Sequence, residues 1–326
     1  MTNCHFELVP LCGRMEIFMI FSYFSDMASE IREEKVKTYA EDSTGKLDGV
    51  EYSEYERYGV KINKISIISE EGEKILSKPL GDYITVQTGD ILHKEESEIQ
   101  SIASAISDEI VYMSKKLGYY GGRVIAAGLG NKNLTSDSLG PAVCDGLIVT
   151  SHLKEQNPKL YSDLHFGDLS AFCPGVLAQT GMESSSLVLA VCKSYEAKLV
   201  LAIDSLAAKE VGNLCSCVQI CSCGISPGSG VGNYRKELTK DLLGVPVISV
   251  GVPMVVDSKT LVFEAISKLF PDKTDILQTA DIFPDRSYFV TPRDIDICSQ
   301  NFGDLIAMAI NRAFHKNLSF EDMAQI

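Results

Sequence analysis

Residues 123–147, RVIAAGLGNKNLTSDSLGPAVCDGL, decide the fold. They comprise a short apolar strand, a loop rich in glycine and polar side chains, and the apolar beginning of a helix. The same alternation continues along the chain, with strands predicted at 197–204, 215–225 and 244–256, and helices predicted at 95–118, 139–153, 184–195, 258–270 and 302–314. Apolar strands that alternate with amphipathic helices are typical of an α/β protein, in which helices cover both faces of a mostly parallel sheet.

A small antiparallel unit is predicted before this α/β core, over residues 59–90. Residues 60–68 (VKINKISII) alternate apolar and polar side chains as a half-buried strand does, and residues 82–89 (DYITVQTG) indicate a second strand. The sequence EEGEK between them is interpreted as a turn. Residues 1–58 are expected to be irregular, because they end in a polar, acidic run with few aliphatic side chains.

The composition is that of an ordinary globular protein. The 326 residues carry a formal net charge of −14, with 45% hydrophobic and 23% charged side chains. The negative charge argues against nucleic-acid binding, which needs clustered lysine and arginine. The apolar run at 15–24 is too short to span a bilayer and is not followed by the cleavage site of a signal peptide. The ten cysteines are therefore expected to be reduced thiols in a cytoplasmic protein that binds no membrane.

Two aspartates are predicted to lie where α/β proteins have their ligand-binding crevice. Asp137 lies in the loop after the strand RVIAAG, and Asp204 is expected to end the strand LVLAI. Ligands of open α/β sheets bind beyond the carboxyl ends of the strands. Two carboxylates that converge there would share a proton, and one could activate water while the other protonates the leaving group. The alternative is structural: Asp137 and Ser138 are both good N-cap residues for the helix predicted after them, and Asp204 could cap the helix that follows it.

A glycine-rich loop over residues 226–238 (SPGSGVGNYRKEL) is a candidate anion site, since Arg235 and Lys236 follow its glycines. It lacks the phosphate-loop signature. A tight turn that lets the backbone approach another element is the alternative.

Two groups of residues are candidate metal ligands. The segment CSCVQICSC carries four cysteines whose spacing differs from the usual zinc pattern, and on a strand all four would point to one face as small packed side chains: Cys215, Cys217, Cys221 and Cys223. Among the histidines, His152 and His165 lie nearest in sequence to the Asp137 helix. No metal and no cofactor is predicted, although the sequence leaves metal binding by the cysteine segment open.

Five segments resemble the germination proteases of spore-forming bacteria, in the order of that family. They are EGEKILSKPLGDYIT (71–85), the stretch 128–153 that contains Asp137, FCPGVLAQTGMESSSLV (172–188), AIDSLAAK (202–209) and the stretch 219–257. The resemblance covers most of the chain. The chain departs from the family at Lys132, where tryptophan is expected, and at Ser226, where histidine is expected, but neither change touches an aspartate of interest.

The resemblance implies an atypical aspartic endopeptidase that initiates the degradation of small acid-soluble spore proteins during spore germination. It implies Asp137 and Asp204 as the catalytic pair, no metal, and a homotetramer in the forespore or spore core. It also implies a three-layer α/β/α sandwich with added antiparallel strands, similar to hydrogenase maturation proteases.

The resemblance further implies a zymogen that removes its own N-terminal segment. The sequence FSDMASEI (24–31) is similar to the processing site of the family, which predicts cleavage between Asp26 and Met27. Residues 1–26 are then the pro-segment. Residues 27–326 form a single protease domain, with the antiparallel unit at 59–90 and the α/β/α core at 95–326.

Three other functions stay open at this point. A metal-dependent maturation peptidase of the same fold would use Asp137 as a metal ligand and would need a histidine such as His152 or His165 nearby. A non-catalytic homologue would bind spore proteins without cutting them. A nucleotide-binding α/β protein would use the glycine loops.

Overall fold

The sheet and helices described here belong to a computed structural model that covers residues 25–39, 45–226, 236–270, 288–323 and 325. The described strands are β1 (Val50–Arg57), β2 (Val60–Ile67), β3 (Gly81–Gln87), β4 (Val124–Gly128), β5 (Leu169–Phe172), β6 (Leu199–Ala208), β7 (Cys217–Cys221), β8 (Val247–Asp257) and β9 (Phe289–Val290). The described helices are α1 (Ala28–Tyr39), α2 (Glu70–Leu76), α3 (Glu96–Lys116), α4 (Leu139–Asp145), α5 (Ser151–Gln156), α6 (Pro158–Asp163), α7 (Leu177–Thr180), α8 (Ser184–Ser194), α9 (Lys240–Leu243), α10 (Ser258–Leu269), α11 (Ile295–Phe314) and α12 (Phe320–Met323).

All these strands join one mixed sheet in the described part of the chain. Its order is β1-β2-β3-β7-β8-β6-β4-β5, and β9 pairs with β8. Strands β5, β4, β6 and β8 run parallel to one another, and they form the core predicted from the alternating pattern. Strands β1, β2, β3 and β7 continue the same sheet in antiparallel pairs. Because β4 and β6 are parallel neighbours, their carboxyl ends meet at one edge of the sheet.

Helices cover both faces of the sheet, which confirms the three-layer α/β/α sandwich. On one face, α3 and α11 pack against the sheet through fully buried side chains such as Ile106 and Phe302. On the other face, Val188 of α8 and Leu243 of α9 pack against Val200 of β6. Alternating residues of each strand therefore contribute to two separate hydrophobic layers. No described helix combines the length and the apolar character that crossing a bilayer requires.

The N-terminal part is more regular than the sequence indicates. Residues 28–39 and 50–57, predicted to be irregular, form α1 and β1, and the segment EEGEK, predicted to be a turn, lies inside α2. Strand β1 is an edge strand in which every residue is exposed or half-buried, so its polar, acidic sequence carries no apolar alternation that would mark a strand. Helix α2 begins at an N-cap, because Ser69 Oγ accepts a hydrogen bond of 3.4 Å from Gly72 N–H.

The helix predicted at 139–153 is divided into α4 and α5. Two side chains bind the backbone between the two short helices: Asn311 of α11 and His315, the residue that follows α11. Asn311 Oδ1 accepts the N–H of Ile148 at 2.9 Å. His315 is fully buried, and its Nε2 lies 2.8 Å from the carbonyl oxygen of Ile148. Burial lowers the pKa of His315, so the ring is neutral and its Nε2–H can donate this bond.

Asp82 of β3 is a buried carboxylate that joins β2, β3 and α3. It is 2% exposed, it accepts hydrogen bonds from Lys116 Nζ at 2.6 Å and Ser66 Oγ at 2.7 Å, and it lies 3.4 Å from Lys64 Nζ. Burial alone would raise the pKa of Asp82, but these hydrogen bonds and the two lysine charges outweigh burial and hold it below its usual value.

We expect Asp82→Asn to lower the free energy of unfolding by about 3 kcal/mol at neutral pH. The folded-state pKa is depressed, so this stabilisation is present above the unfolded pKa of about 3.9 and is lost as pH falls through the folded pKa. Urea unfolding at about pH 7 and at about pH 3 should therefore show a smaller pH dependence for the variant. The exposed Asp163→Asn is the control, and an unchanged pH dependence in Asp82→Asn would contradict this role.

Candidate active site

The loop that carries Asp137 begins beside Asp204. Strand β4 ends at Gly128, whose register partner on β6 is Ile203. The next residue, Leu129, donates its N–H to the carbonyl oxygen of Ile203 at 2.8 Å. The chain therefore leaves β4 one residue from Asp204, at the carboxyl edge of the parallel strands.

Gly130 allows the loop to fold back over this edge. Its φ of +101° is rarely adopted by other residues. A Cβ at this position would lie 2.1 Å from the carbonyl oxygen of Asp137 and 2.9 Å from its Oδ1. Asn131 N–H also donates to the same carbonyl oxygen at 2.8 Å. Asp137 is thus held directly over Gly130, in a 3₁₀ turn, Thr135–Asp137, that contacts both β6 and β8.

The N-cap interpretation of Asp137 is wrong. Helix α4 begins at Leu139, and the residue at its N-cap is Ser138, whose hydroxyl donates to the carbonyl oxygen of Thr135 at 2.8 Å. A close approach fixes the start of this helix, since a Cβ at Gly140 would lie 2.3 Å from the carbonyl oxygen of Leu129. Asp137 therefore ends the turn before the helix, and its half-buried side chain lies against Gly130.

Asp204 lies inside β6 and not at its end, so both its strand-end position and its N-cap interpretation are wrong. The strand continues to Ala208, with a bulge after Leu206, because β8 stays paired with it throughout. Asp204 is 4% exposed, and its Oδ1 accepts the N–H of Ser205 at 3.0 Å. By strand alternation, its side chain points to the same face as Val200 and Ala202.

A cavity of about 320 Å³ opens on this face, and its lining includes Leu206, two residues after Asp204 on β6. Its wall includes Gly251, which is the register partner of Asp204 on β8. A Cβ at Gly251 would lie 2.6 Å from Leu206 Cγ and 2.8 Å from the carbonyl oxygen of Asp204. Glycine at position 251 therefore lets β6 and β8 pair closely. The cavity reaches β6, the strand that carries Asp204, at Leu206.

The predicted processing site lies along the same cavity. Asp26 lines it and binds Ala207 of β6. Its N–H donates to the Ala207 carbonyl oxygen at 2.9 Å, and its side-chain Oδ2 accepts the Ala207 N–H at 2.9 Å. The carbonyl oxygen of Asp26 accepts hydrogen bonds from Gln219 Nε2 at 3.0 Å and Lys78 Nζ at 3.2 Å. These hydrogen bonds hold the peptide bond between Asp26 and Met27 beside Ala207, which lies three residues after Asp204 on β6. The Met27 side chain is fully buried.

Sequence reasoning missed the two residues that hold this bond. Gln219 is 6% exposed in the middle of β7, and a polar side chain within an otherwise apolar strand was a usable signal. Lys78 follows α2, which the sequence did not predict, so its position could not be inferred.

No three of the candidate metal ligands come together within the described residues. No group of three or more histidine, cysteine, aspartate or glutamate side chains there could hold a metal ion. His152 and His165 are both exposed, and His165 Nδ1 lies 3.1 Å from the carbonyl oxygen of Asp163. The candidate anion loop falls largely on residues 227–235, outside the described part of the chain.

The expectation that all four cysteines of 215–223 share a face is wrong. Strand β7 covers only residues 217–221, and Cys215 precedes it with a φ of +48°. Cys215 packs on the α3 and α11 face, where its Sγ lies 3.6 Å from Met254 Sδ. Cys217 and Cys221 point to the opposite face.

The fold and this edge define an α/β/α protein with one aspartate in a parallel strand, a second in the turn after the neighbouring strand, and a cavity that reaches the first of these strands. A sequence profile of the germination protease family matches residues 26–281. The germination protease of Caldanaerobacter subterraneus subsp. tengcongensis is 34% identical over 339 residues, covering 95% of this chain and 99% of that protein. The germination protease of Clostridium tetani is 31% identical over 326 residues, covering 92% and 97%.

This chain belongs to the germination protease family. It is therefore a peptidase, and the family gives it a protease function in spores. Among solved structures, a nickel–iron hydrogenase maturation protease, HycI, from Thermococcus kodakarensis is similar with a TM-score of 0.31 and 14% identity, covering 60% of this chain and 97% of that one.

Proposed function

We propose that this chain is an endopeptidase that initiates the degradation of small acid-soluble spore proteins during germination, with Asp137 and Asp204 as its catalytic pair. One observation carries the assignment of the pair. The loop that holds Asp137 over Gly130 starts at Leu129, and Leu129 is hydrogen-bonded to Ile203, the residue before Asp204. The 3₁₀ turn of Asp137 also contacts β6, the strand of Asp204.

In this mechanism the two carboxylates divide the acid and base roles. Two like charges at short range do not both ionise readily, so the pair holds one proton between its members. The ionised carboxylate takes a proton from the attacking water, and the protonated one donates to the carbonyl oxygen or the leaving nitrogen of the scissile bond. The low exposure of Asp204 supports this role, because a site that excludes bulk water strengthens electrostatic interactions.

The test of the function is digestion of a purified small acid-soluble spore protein by the chain that begins at Met27, with and without EDTA. We expect cleavage in both conditions, followed by mass spectrometry of the products. Loss of cleavage in EDTA, with recovery on adding a divalent metal, would instead favour a metal-dependent maturation peptidase. Binding of the substrate without cleavage would favour a non-catalytic homologue.

We further propose that residues 1–26 are a pro-segment and that residues 27–326 form the single protease domain. The position of Asp26 against Ala207, on the strand that carries Asp204, supports self-processing. The proposed forespore or spore-core location and the homotetramer rest on the family resemblance. Light scattering of the chain that begins at Met27 tests the tetramer.

Self-processing predicts a new N-terminus at Met27. The full chain should lose residues 1–26 on incubation, while the Asp204→Asn chain should stay intact, because the same carboxylate serves both reactions. N-terminal sequencing of the products over time checks this. Cleavage at another bond, or equal processing of the Asp204→Asn chain, would contradict it.

A further inference from the structure

Two thiols meet at the end of β7, on the wall of the cavity described above. Cys221 is the last residue of the strand, and Cys223 follows after one residue. Their Sγ atoms are 2.8 Å apart. The intervening Ser222 fixes the bend, because its N–H donates to the carbonyl oxygen of Asp82 at 3.0 Å and its hydroxyl accepts the Asp82 N–H at 2.8 Å. The backbone therefore holds both sulfurs on one side.

The surroundings distinguish the two sulfurs. Cys221 Sγ accepts the N–H of Cys223 at 3.4 Å, whereas Cys223 Sγ donates to Tyr83 Oη at 2.9 Å. Tyr83 Oη can only accept in its hydrogen bond with Cys223, because its own O–H donates to the carbonyl oxygen of Pro79 at 2.9 Å. Cys221 is thus placed to be a thiolate, and Cys223 is held as a thiol.

The pKa directions agree with this geometry. Burial raises the pKa of Cys221, but the donors from Cys223 and Ser249 and the charge of Lys78 outweigh burial and lower it. The contact with Cys221 and burial both raise the pKa of Cys223. A thiol with a lowered pKa beside a second thiol is the arrangement found in redox-active cysteine pairs.

We propose that Cys221 and Cys223 are a redox-active dithiol that forms a reversible disulfide by exchange with a low-molecular-weight disulfide reaching them through the cavity. The Cys221 thiolate attacks one sulfur of the small disulfide, forming a mixed disulfide and releasing one small thiolate. Cys223 then attacks Cys221 Sγ, which releases the second. The protons of the two cysteines go to the two departing thiolates. The two cysteines are oxidised, and the small disulfide is reduced to two thiols.

This inference does not depend on the peptidase mechanism. The proposed reaction uses the two thiols and neither aspartate. Their oxidation is measured by mass spectrometry, without any substrate protein. Both side chains line the cavity, so a small disulfide can approach them even though Cys221 is 4% exposed. The alternative is that both are small packed side chains with no reactivity.

The test is incubation of the folded full chain with mixtures of reduced and oxidised glutathione, followed by acid quenching, alkylation of free thiols and peptide mass mapping. In oxidising mixtures the peptide containing Cys221 and Cys223 should lose two hydrogen atoms and escape alkylation, and in reducing mixtures it should regain both thiols. If both thiols are alkylated at every ratio, while the exposed Cys173 is oxidised in the same samples, either as a glutathione adduct or with its neighbour Cys144, the proposal is overturned.

Two variants test the roles of the two sulfurs. Cys223→Ser should trap a stable glutathione adduct on Cys221, because the second step is blocked. Cys221→Ser should form an adduct on Cys223 at least about tenfold more slowly because, with the contact to Cys221 gone, burial still raises the pKa of Cys223 and keeps it a thiol. Equal rates would overturn the assignment of Cys221 as the attacking thiol. Cys192→Ser, which removes a buried thiol of α8, is the matched control and should behave as the unchanged chain.

Discussion

Asp137→Asn and Asp204→Asn should each lower the rate of spore-protein cleavage by about 10³-fold. Asparagine keeps the shape and one hydrogen-bond acceptor of aspartate, but it neither accepts the proton of water nor carries the shared proton of the pair. The measurement is the initial rate of cleavage by the chain that begins at Met27, with thermal unfolding to show that each variant is folded.

The control for this prediction is an acidic residue that lies away from the loop. Asp163→Asn removes an exposed carboxylate from α6 and should change the rate by less than about twofold. Full activity in either Asp137→Asn or Asp204→Asn would remove that residue from the mechanism. A similar loss in Asp163→Asn would show that the assay responds to charge in general.

Gly130→Ala should have the second largest effect, because it displaces Asp137 without changing any carboxylate. The new Cβ would lie 2.1 Å from the carbonyl oxygen of Asp137, and the φ of +101° disfavours alanine. We expect activity to fall by about 100-fold, as happens when catalytic groups move by about 1 Å. The free energy of unfolding should fall by about 2 kcal/mol or more.

Gly118→Ala separates backbone strain from the clash. Gly118 also has a positive φ, +84°, but a Cβ there would meet nothing within 4 Å. This variant should lose about 1 kcal/mol of stability and keep its activity. An equal loss of activity in Gly130→Ala and Gly118→Ala would contradict the claim that the reaction depends on the position of Asp137 over Gly130.

The alternation of apolar strands with amphipathic helices predicted the core of the fold. It identified β4, β6, β8, α3, α8, α10 and α11, because each of these elements buries a continuous apolar run or stripe. It missed β1, whose exposed residues carry no alternation, and α2, which is only seven residues long. Their regularity comes from pairing and packing with neighbours, which a local pattern does not encode.

Both aspartates were identified because they were predicted to lie at the carboxyl ends of strands, and this is right for only one of them. Asp137 does follow β4, as predicted. Asp204 was predicted to end a strand, whereas β6 continues past it because it stays paired with β8. The contacts of Asp26 with Gln219 and Lys78 could not be predicted, since they join residues far apart in the chain.

The most direct test of the central claim is the cleavage rate of the double variant, Asp137→Asn with Asp204→Asn, beside the two single variants. If the two carboxylates act as one unit, removing the second after the first costs almost nothing, and the double variant should stay within about threefold of the slower single variant. Independent contributions would multiply to a loss of about 10⁶-fold, and that result would contradict a shared aspartate pair.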